Sequence, residues 1–281
     1  MQLSEFLTLT AVFVGSASAA VTQAVYDQLV NHFKYASSAY PALQPCLHPN
    51  GQTLISTFSN SSTDTQGYIA RDDTALEFIV AFSGRTTAAD NTTFANNALV
   101  AYGTGTGGAK VHTGFNAAYN SVKTGIASAL TTAVAGAYAN YRIVTVGHDI
   151  GGSLAVLATL HLRNVFVGNL RATYTYGQPR TGDLQFAFLV DESQGFSVRR
   201  VTYKNDGVPK SIPENISSGY VHHPVEYWVT SNTAAGTTQC REYGDAVVGE
   251  DENCSLSVAT NTWNANHDLY FGIATGTQFC T

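Results

Sequence analysis

Residues 147–152 read Gly-His-Asp-Ile-Gly-Gly, between a strand-like apolar run, Ile143 to Val146, and a helix-like run, Ser153 to Leu162. A Gly-x-nucleophile-x-Gly segment joining strand to helix forms a turn so sharp that one side chain is lifted above the end of a sheet. This feature commits the middle of the chain to a strand feeding a helix and narrows the fold to a layered α/β arrangement. The residue expected at the apex is Ser; this chain carries Asp149.

The periodicity around the turn agrees. Val25, Leu29, Phe33, Ala36 and Tyr40 recur at helical spacing, as do Phe115, Ala118, Tyr119, Val122, Ile126 and Leu130, and both stripes predict amphipathic helices. Residues 53–58 and 66–70 read as a short antiparallel pair. Leu76 to Phe82 reads as a buried strand, followed by strands at 172–176, 198–204 and 226–231. Strands alternating with helices predict a mostly parallel central sheet covered on both faces, within a single domain.

With 281 residues the chain is long enough for a sizeable core, and 12% charged residues suit a globular protein. A net charge of −6 argues against nucleic acid as a partner. Residues 1–20 read as a secretory signal peptide, an apolar stretch from Phe6 to Val14 followed by small residues that include Ala17-Ser18-Ala19, although no Lys or Arg precedes it. The domain then spans 21–281, extracellular, where the four cysteines are free to oxidise. Of the three possible pairings the reading favours Cys46 with Cys280 and Cys240 with Cys254. Sequons at Asn60, Asn91, Asn215 and Asn253 fit a secreted glycoprotein.

Other chemistries find little support. Gly103 to Lys110 fails as a phosphate loop, because Ala109 separates the last glycine from Lys110 and Val111 follows where Ser or Thr belongs; it reads as a surface loop. There is no dinucleotide fingerprint, no His-Glu-x-x-His run and no Cys-x-x-Cys pair, so neither a cofactor nor a metal is expected.

Six segments, in order, resemble the fungal class 3 lipases, a group that includes feruloyl esterases. They are Phe82-Ser83-Gly84-Arg85-Thr86, Val111-His112-Thr113-Gly114-Phe115, Tyr174 to Gly182 (Tyr-Thr-Tyr-Gly-Gln-Pro-Arg-Thr-Gly), Asp206 to Pro213 (Asp-Gly-Val-Pro-Lys-Ser-Ile-Pro), Tyr220-Val221-His222 with Glu226-Tyr227-Trp228, and His267 to Gly272 (His-Asp-Leu-Tyr-Phe-Gly). The resemblance implies an α/β-hydrolase fold and hydrolysis of a lipid or phenolic ester by a monomer. It also implies a catalytic set of Asp149, Asp206 and His267, in the order nucleophile, acid, base. Asp206 would orient His267, and the oxyanion hole would fall at Arg85 and Ile150. Arg85 stands in the family's Ser/Thr slot, and Ser83 where the family has Arg. A lid would follow at 88–99, where Phe94 and Leu99 are the only large apolar residues, a thin face that implies weak contact with a lipid interface.

An apex carboxylate needs no base to ionise it and could attack directly. In this it resembles haloalkane dehalogenases and epoxide hydrolases, but the short stretch between Pro179 and Asp206 leaves no room for a cap domain. Alternatively, two carboxylates flanking His267 would hold it protonated, a poor base, and leave a ligand-binding relative without turnover. Ser153 lies one turn inside the helix and reads as a packing residue rather than a substitute nucleophile. Three readings stand: an ester hydrolase using Asp149, an aspartate-dependent hydrolase of epoxides or haloalkanes, and a non-catalytic binder.

Overall fold

The computed structural model describes residues 19–40, 46–194, 198–217, 219–240 and 250–280. Most of the proposed leader, residues 1–18, lies outside them. Along the chain run β1 (Ala19–Ala20), α1 (Gln23–Ser38), β2 (Thr53–Asn60), β3 (Thr65–Asp72), β4 (Glu77–Phe82), α2 (Ala88–Ala95), β5 (Leu99–Ala101), β6 (Lys110–His112), α3 (Thr113–Ala133), β7 (Arg142–His148) and α4 (Ile150–Val165). There follow β8 (Leu170–Tyr176), β9 (Gly182–Asp183), α5 (Leu184–Gln194), β10 (Val198–Tyr203), β11 (Tyr220–Val221), β12 (Glu226–Val229), β13 (Thr237–Cys240), β14 (Leu269–Tyr270) and β15 (Ile273–Ala274).

Nine strands form the main sheet in the order β1-β13-β12-β10-β8-β7-β4-β3-β2. Its centre, β4, β7, β8, β10 and β12, is parallel, and antiparallel strands close both edges. This is the α/β-hydrolase architecture. Strand β4 shows why the apolar run is continuous rather than alternating: Phe78, Val80 and Phe82 pack under α3 and α4, while Ile79 and Ala81 pack toward α1, and all five are fully buried. Each large side chain so buried contributes about 1.5–3 kcal/mol. Helix α1 supplies Leu29, Phe33 and Ala36 to its layer, and α3 supplies Phe115, Val122, Ile126 and Leu130 to the other.

A small second sheet, β11-β9-β6-β5, had no counterpart in the sequence periodicity. Its strands are two or three residues long, too short for a period to show. Cys46 is bonded to Cys280 and Cys240 to Cys254. The first tie joins the loop after α1 to the C-terminal segment, whose Cys280 also bridges Pro49 through the backbone. Among the described residues no helix is long and apolar enough to cross a membrane.

Candidate active site

The turn between β7 and α4 puts Asp149 at φ 56° and ψ −132°, a left-handed backbone rarely taken by a residue with a Cβ. The glycines before and after it permit this. A Cβ on Gly147 would lie 2.0 Å from the carbonyl oxygen of Gly151, so strand and helix approach only because both positions are bare. The Asp149 N–H donates to the carbonyl of Tyr176 at 2.9 Å, which ties the apex to the neighbouring parallel strand. Gly84 plays the same part across the site: a Cβ there would meet the Tyr40 hydroxyl at 2.2 Å and the Asp149 Cβ at 2.9 Å.

The three sequence-predicted residues meet at the C-terminal end of the parallel strands, all nearly buried. Asp206 follows β10, and His267 precedes β14. Asp206 Oδ2 lies 3.0 Å from His267 Nδ1 and accepts from the Tyr270 hydroxyl at 2.6 Å, while its Oδ1 accepts from the Val208 N–H at 2.9 Å. A carboxylate with only donors around it is ionised, so His267 Nδ1 carries the proton. Burial opposes the charge on Asp206, but His267, Tyr270 and the Val208 N–H outweigh it and lower its pKa.

Asp149 has two unlike oxygens. Oδ2 accepts from the Arg85 backbone N–H at 3.0 Å and from Arg85 Nε at 2.7 Å. Oδ1 is buried, has no hydrogen-bond partner among the described residues, and faces His267 Nε2, likewise unpartnered there, at 3.7 Å. Burial again opposes the charge, yet His267 and then Arg85 hold the Asp149 pKa below its ordinary value. For His267, burial disfavours the imidazolium, but Asp206 and then Asp149 prevail and raise its pKa. Two carboxylates and a guanidinium thus surround an imidazole whose protonated form they favour.

The resemblance placed Arg85 at the oxyanion position, where a backbone N–H is a candidate donor. That N–H is here engaged by Asp149, and the guanidinium turns back onto the same oxygen, 4.2 Å above the Phe94 ring. Ile150 opens α4, so its N–H is one of those a helix N-terminus leaves without an intrahelical carbonyl. The expected lid is the eight-residue helix α2, opened by a capping box between Thr87 and Asp90. Phe94 leans on Phe115 and His112, and Leu99 lies on β5 against the same core layer. A cavity of about 400 Å³ opens over Asp149, His267 and Arg85, lined also by Tyr40, Asn91 and Trp263; Phe94 and Leu99 are not among its lining residues.

Three contributors carried no sequence signal strong enough to assign them. His148, within the elbow itself, has its Nε2 2.8 Å from the His267 carbonyl and its ring 4.4 Å from the His267 ring. Burial and the nearby His267 charge push its pKa down to about 3, so it is neutral, donating from Nε2 and accepting the Tyr40 hydroxyl proton at Nδ1. Tyr270 braces Asp206 from the segment that carries His267. Trp263 stands 60% exposed at the rim of the cavity. The available clues were the adjacency of His148 to the apex and the place of Tyr270 in the segment from His267 to Gly272. Among the described residues no group of His, Cys, Asp and Glu is arranged to hold a metal ion.

Residues 79–216 match the family described as Lipase (class 3). The chain is 34% identical over 234 residues to the secreted mono- and diacylglycerol lipase A of Penicillium camembertii, covering 81% of this chain and 73% of that protein. It is 29% identical over 273 residues to the lipase of Rhizomucor miehei, covering 95% of this chain and 72% of that protein. Among solved structures, the lipase from Rhizopus microsporus var. chinensis superposes with a TM-score of 0.78 at 31% identity, over 92% of this chain and 91% of that one. Fold, site position and likeness agree, and the chain belongs to the class 3 lipase family of lipase-type ester hydrolases.

Proposed function

We propose that this chain is a secreted carboxylic-ester hydrolase in which Asp149 Oδ1 is the attacking atom. The observation that carries the reading is the inequality of the two Asp149 oxygens. Arg85 holds Oδ2 with two donors, which leaves Oδ1 as the free end of the carboxylate, facing the general acid-base.

In a serine triad the imidazole starts neutral and takes a proton from the hydroxyl. With Asp149 at the apex that transfer is unnecessary, and His267 starts protonated. Oδ1 attacks the acyl carbon, His267 Nε2 gives its proton to the departing alkoxide, and a mixed anhydride remains on Asp149. The now neutral His267 takes a proton from water as the water oxygen bonds to the Asp149 carboxyl carbon. Negative charge then collects on Oδ2, where the Arg85 N–H and Nε already sit. Collapse expels the product carboxylate, which leaves with the original Oδ1. The new acid on Asp149 releases a proton, and the starting charges are restored.

The same geometry makes turnover slow. The Arg85 N–H is spent on Asp149 and is unavailable to the acyl oxygen, so the first tetrahedral intermediate relies on the Ile150 N–H. A missing oxyanion donor costs about 10²–10³ in rate. The cavity mouth, with Asn91, Trp263 and Asp268, suits a short or aromatic ester better than a long acyl chain. Hydrolysis of short-chain and feruloyl nitrophenyl esters by the parent and by Asp149→Ala tests the reading. Turnover by the parent alone supports it. Equal rates refute it, and turnover confined to epoxides or haloalkanes would move the site to alkyl substrates.

A further inference from the structure

A second cavity, of about 560 Å³, lies on the far side of α3 and α4 from the elbow, walled by the loop 103–106 that failed as a phosphate motif. Its α4 wall begins at Leu160, eleven residues after Asp149, about 17 Å along a helix rising 1.5 Å per residue. It is therefore separate from the catalytic cavity. Its volume falls within the range of small-molecule sites, about 300–1,000 Å³.

The lining has an uneven chemistry. Lys123 from α3 and Arg163 from α4 both reach it, each half-buried, and no Asp or Glu lines it. Neither cation takes part in an ion pair among the described residues. In a chain of net charge −6 this is a positive pocket with no counter-charge on its wall among the described residues. His161 lines the same cavity, its Nδ1 2.7 Å from the Tyr119 hydroxyl. Burial, and then the Lys123 charge, lower its pKa, so the imidazole already registers the positive field. Tyr102, the Tyr119 ring, Leu160 and Leu189 give the wall an apolar part, beside the polar side chains of Asn116, Asn120 and Asn164 and the threonines of the loop. Arg163 also suits the last turn of α4, where a cation complements the helix dipole, but that role explains neither Lys123 nor the apolar wall.

We propose that this cavity is a binding site for a small amphipathic carboxylate, with Lys123 and Arg163 holding the anionic group and Tyr102, Tyr119 and Leu160 packing its ring or short chain. Such a ligand would supply the missing counter-charge and cover apolar surface at once.

Calorimetric titration of the full chain with 4-phenylbutyrate, and separately with neutral 4-phenylbutanamide, tests the proposal. The carboxylate is expected to bind at least tenfold more tightly than the amide, to weaken at least tenfold in Lys123→Met and in Arg163→Met, and to be unaffected by Trp263→Ala. Binding should also raise the His161 pKa, read from its ring protons by NMR with His161→Gln as the assignment control. Equal affinity for acid and amide overturns the proposal. So does binding unchanged in both cation variants, binding lost in Trp263→Ala, which would place the probe in the catalytic cavity, or no binding up to roughly 10 mM, the weakest range of specific recognition.

Discussion

His267 Nε2 stands 3.7 Å from Asp149 Oδ1, and neither atom has a hydrogen-bond partner among the described residues. In the protonated ring the relationship is attractive. In the neutral ring a lone pair would face a carboxylate, so the apex residue itself biases the protonation state of the base. The pH dependence of activity should therefore run opposite to that of a serine enzyme. His267 must carry its proton in the first step, so kcat/KM should fall as pH rises through the raised His267 pKa. In Asp149→Ser it should instead rise with pH, over a lower interval because the Asp149 charge that helps raise the His267 pKa is gone, and there the neutral ring is the competent form. Matching pH limbs in the two proteins would contradict the assignment.

Stability carries the same signature. A group whose folded pKa is raised above its ordinary 6.5 contributes stability that is complete below 6.5 and lost as pH climbs through the folded value. Asp149 and Asp206, lowered from 3.8, contribute stability present above 3.8 and lost as pH falls through their folded values. The cluster should stabilise most between these limits. Thermal melts at pH 5 and pH 8 should show the parent losing more stability than His267→Gln on going alkaline, by roughly 2–4 °C per kcal/mol of lost interaction.

Asp149→Ser should raise hydrolysis of short-chain nitrophenyl esters by about 10²-fold or more, because it both supplies the hydroxyl and releases the Arg85 N–H to the acyl oxygen. Initial rates on the purified variant, with its melt as a folding control, check this.

Arg85→Gln separates the two roles of that residue. In the parent it removes the Nε donor from Asp149 and should cut ester turnover by about tenfold, with a stability loss of about 1–3 kcal/mol from a buried carboxylate deprived of that donor. In an Asp149→Ser background, where only the backbone N–H is used, the same substitution should cost little activity. A double-mutant cycle measures the difference, and additive losses would show that the Arg85 side chain does not act through Asp149.

The Cys46–Cys280 bond closes a sequence separation of 234 residues. Replacing both cysteines by Ser should lower stability by about 5–6 kcal/mol in chain-entropy terms, read as a shift of the denaturation midpoint. A variant as stable as the parent would mean that the unfolded chain is already restrained there.

What the amino-acid order revealed follows from how local each feature is. The Gly147–Asp149–Gly151 turn, the strand at Phe78 to Phe82 and the α1 and α3 stripes are written in consecutive or periodic residues, and each appears close to its expected bounds. Asp206 and His267 were legible through motifs in the order of a known family. The contacts that set the chemistry are not local. Arg85 reaches Asp149 across 64 positions and Tyr40 reaches His148 across 108, and no pattern within either segment announces the meeting. The Arg85 backbone N–H is taken up by the Asp149 carboxylate, and the side-chain conformation decides whether the guanidinium joins it on the same oxygen. Rotamers are chosen by tertiary packing, here against Phe94, so motif reading could place the residue without its role.

The most direct measurement is a single turnover of a short-chain ester in ¹⁸O-water, followed by mass spectrometry of the peptide containing Asp149. If water attacks the Asp149 carboxyl carbon, that peptide gains one ¹⁸O and the first acid released carries none. Asp149→Asn should yield neither label nor acid. Label found in the released acid, with the Asp149 peptide unlabelled, would contradict attack at the carboxyl carbon and reassign Asp149 to activating water.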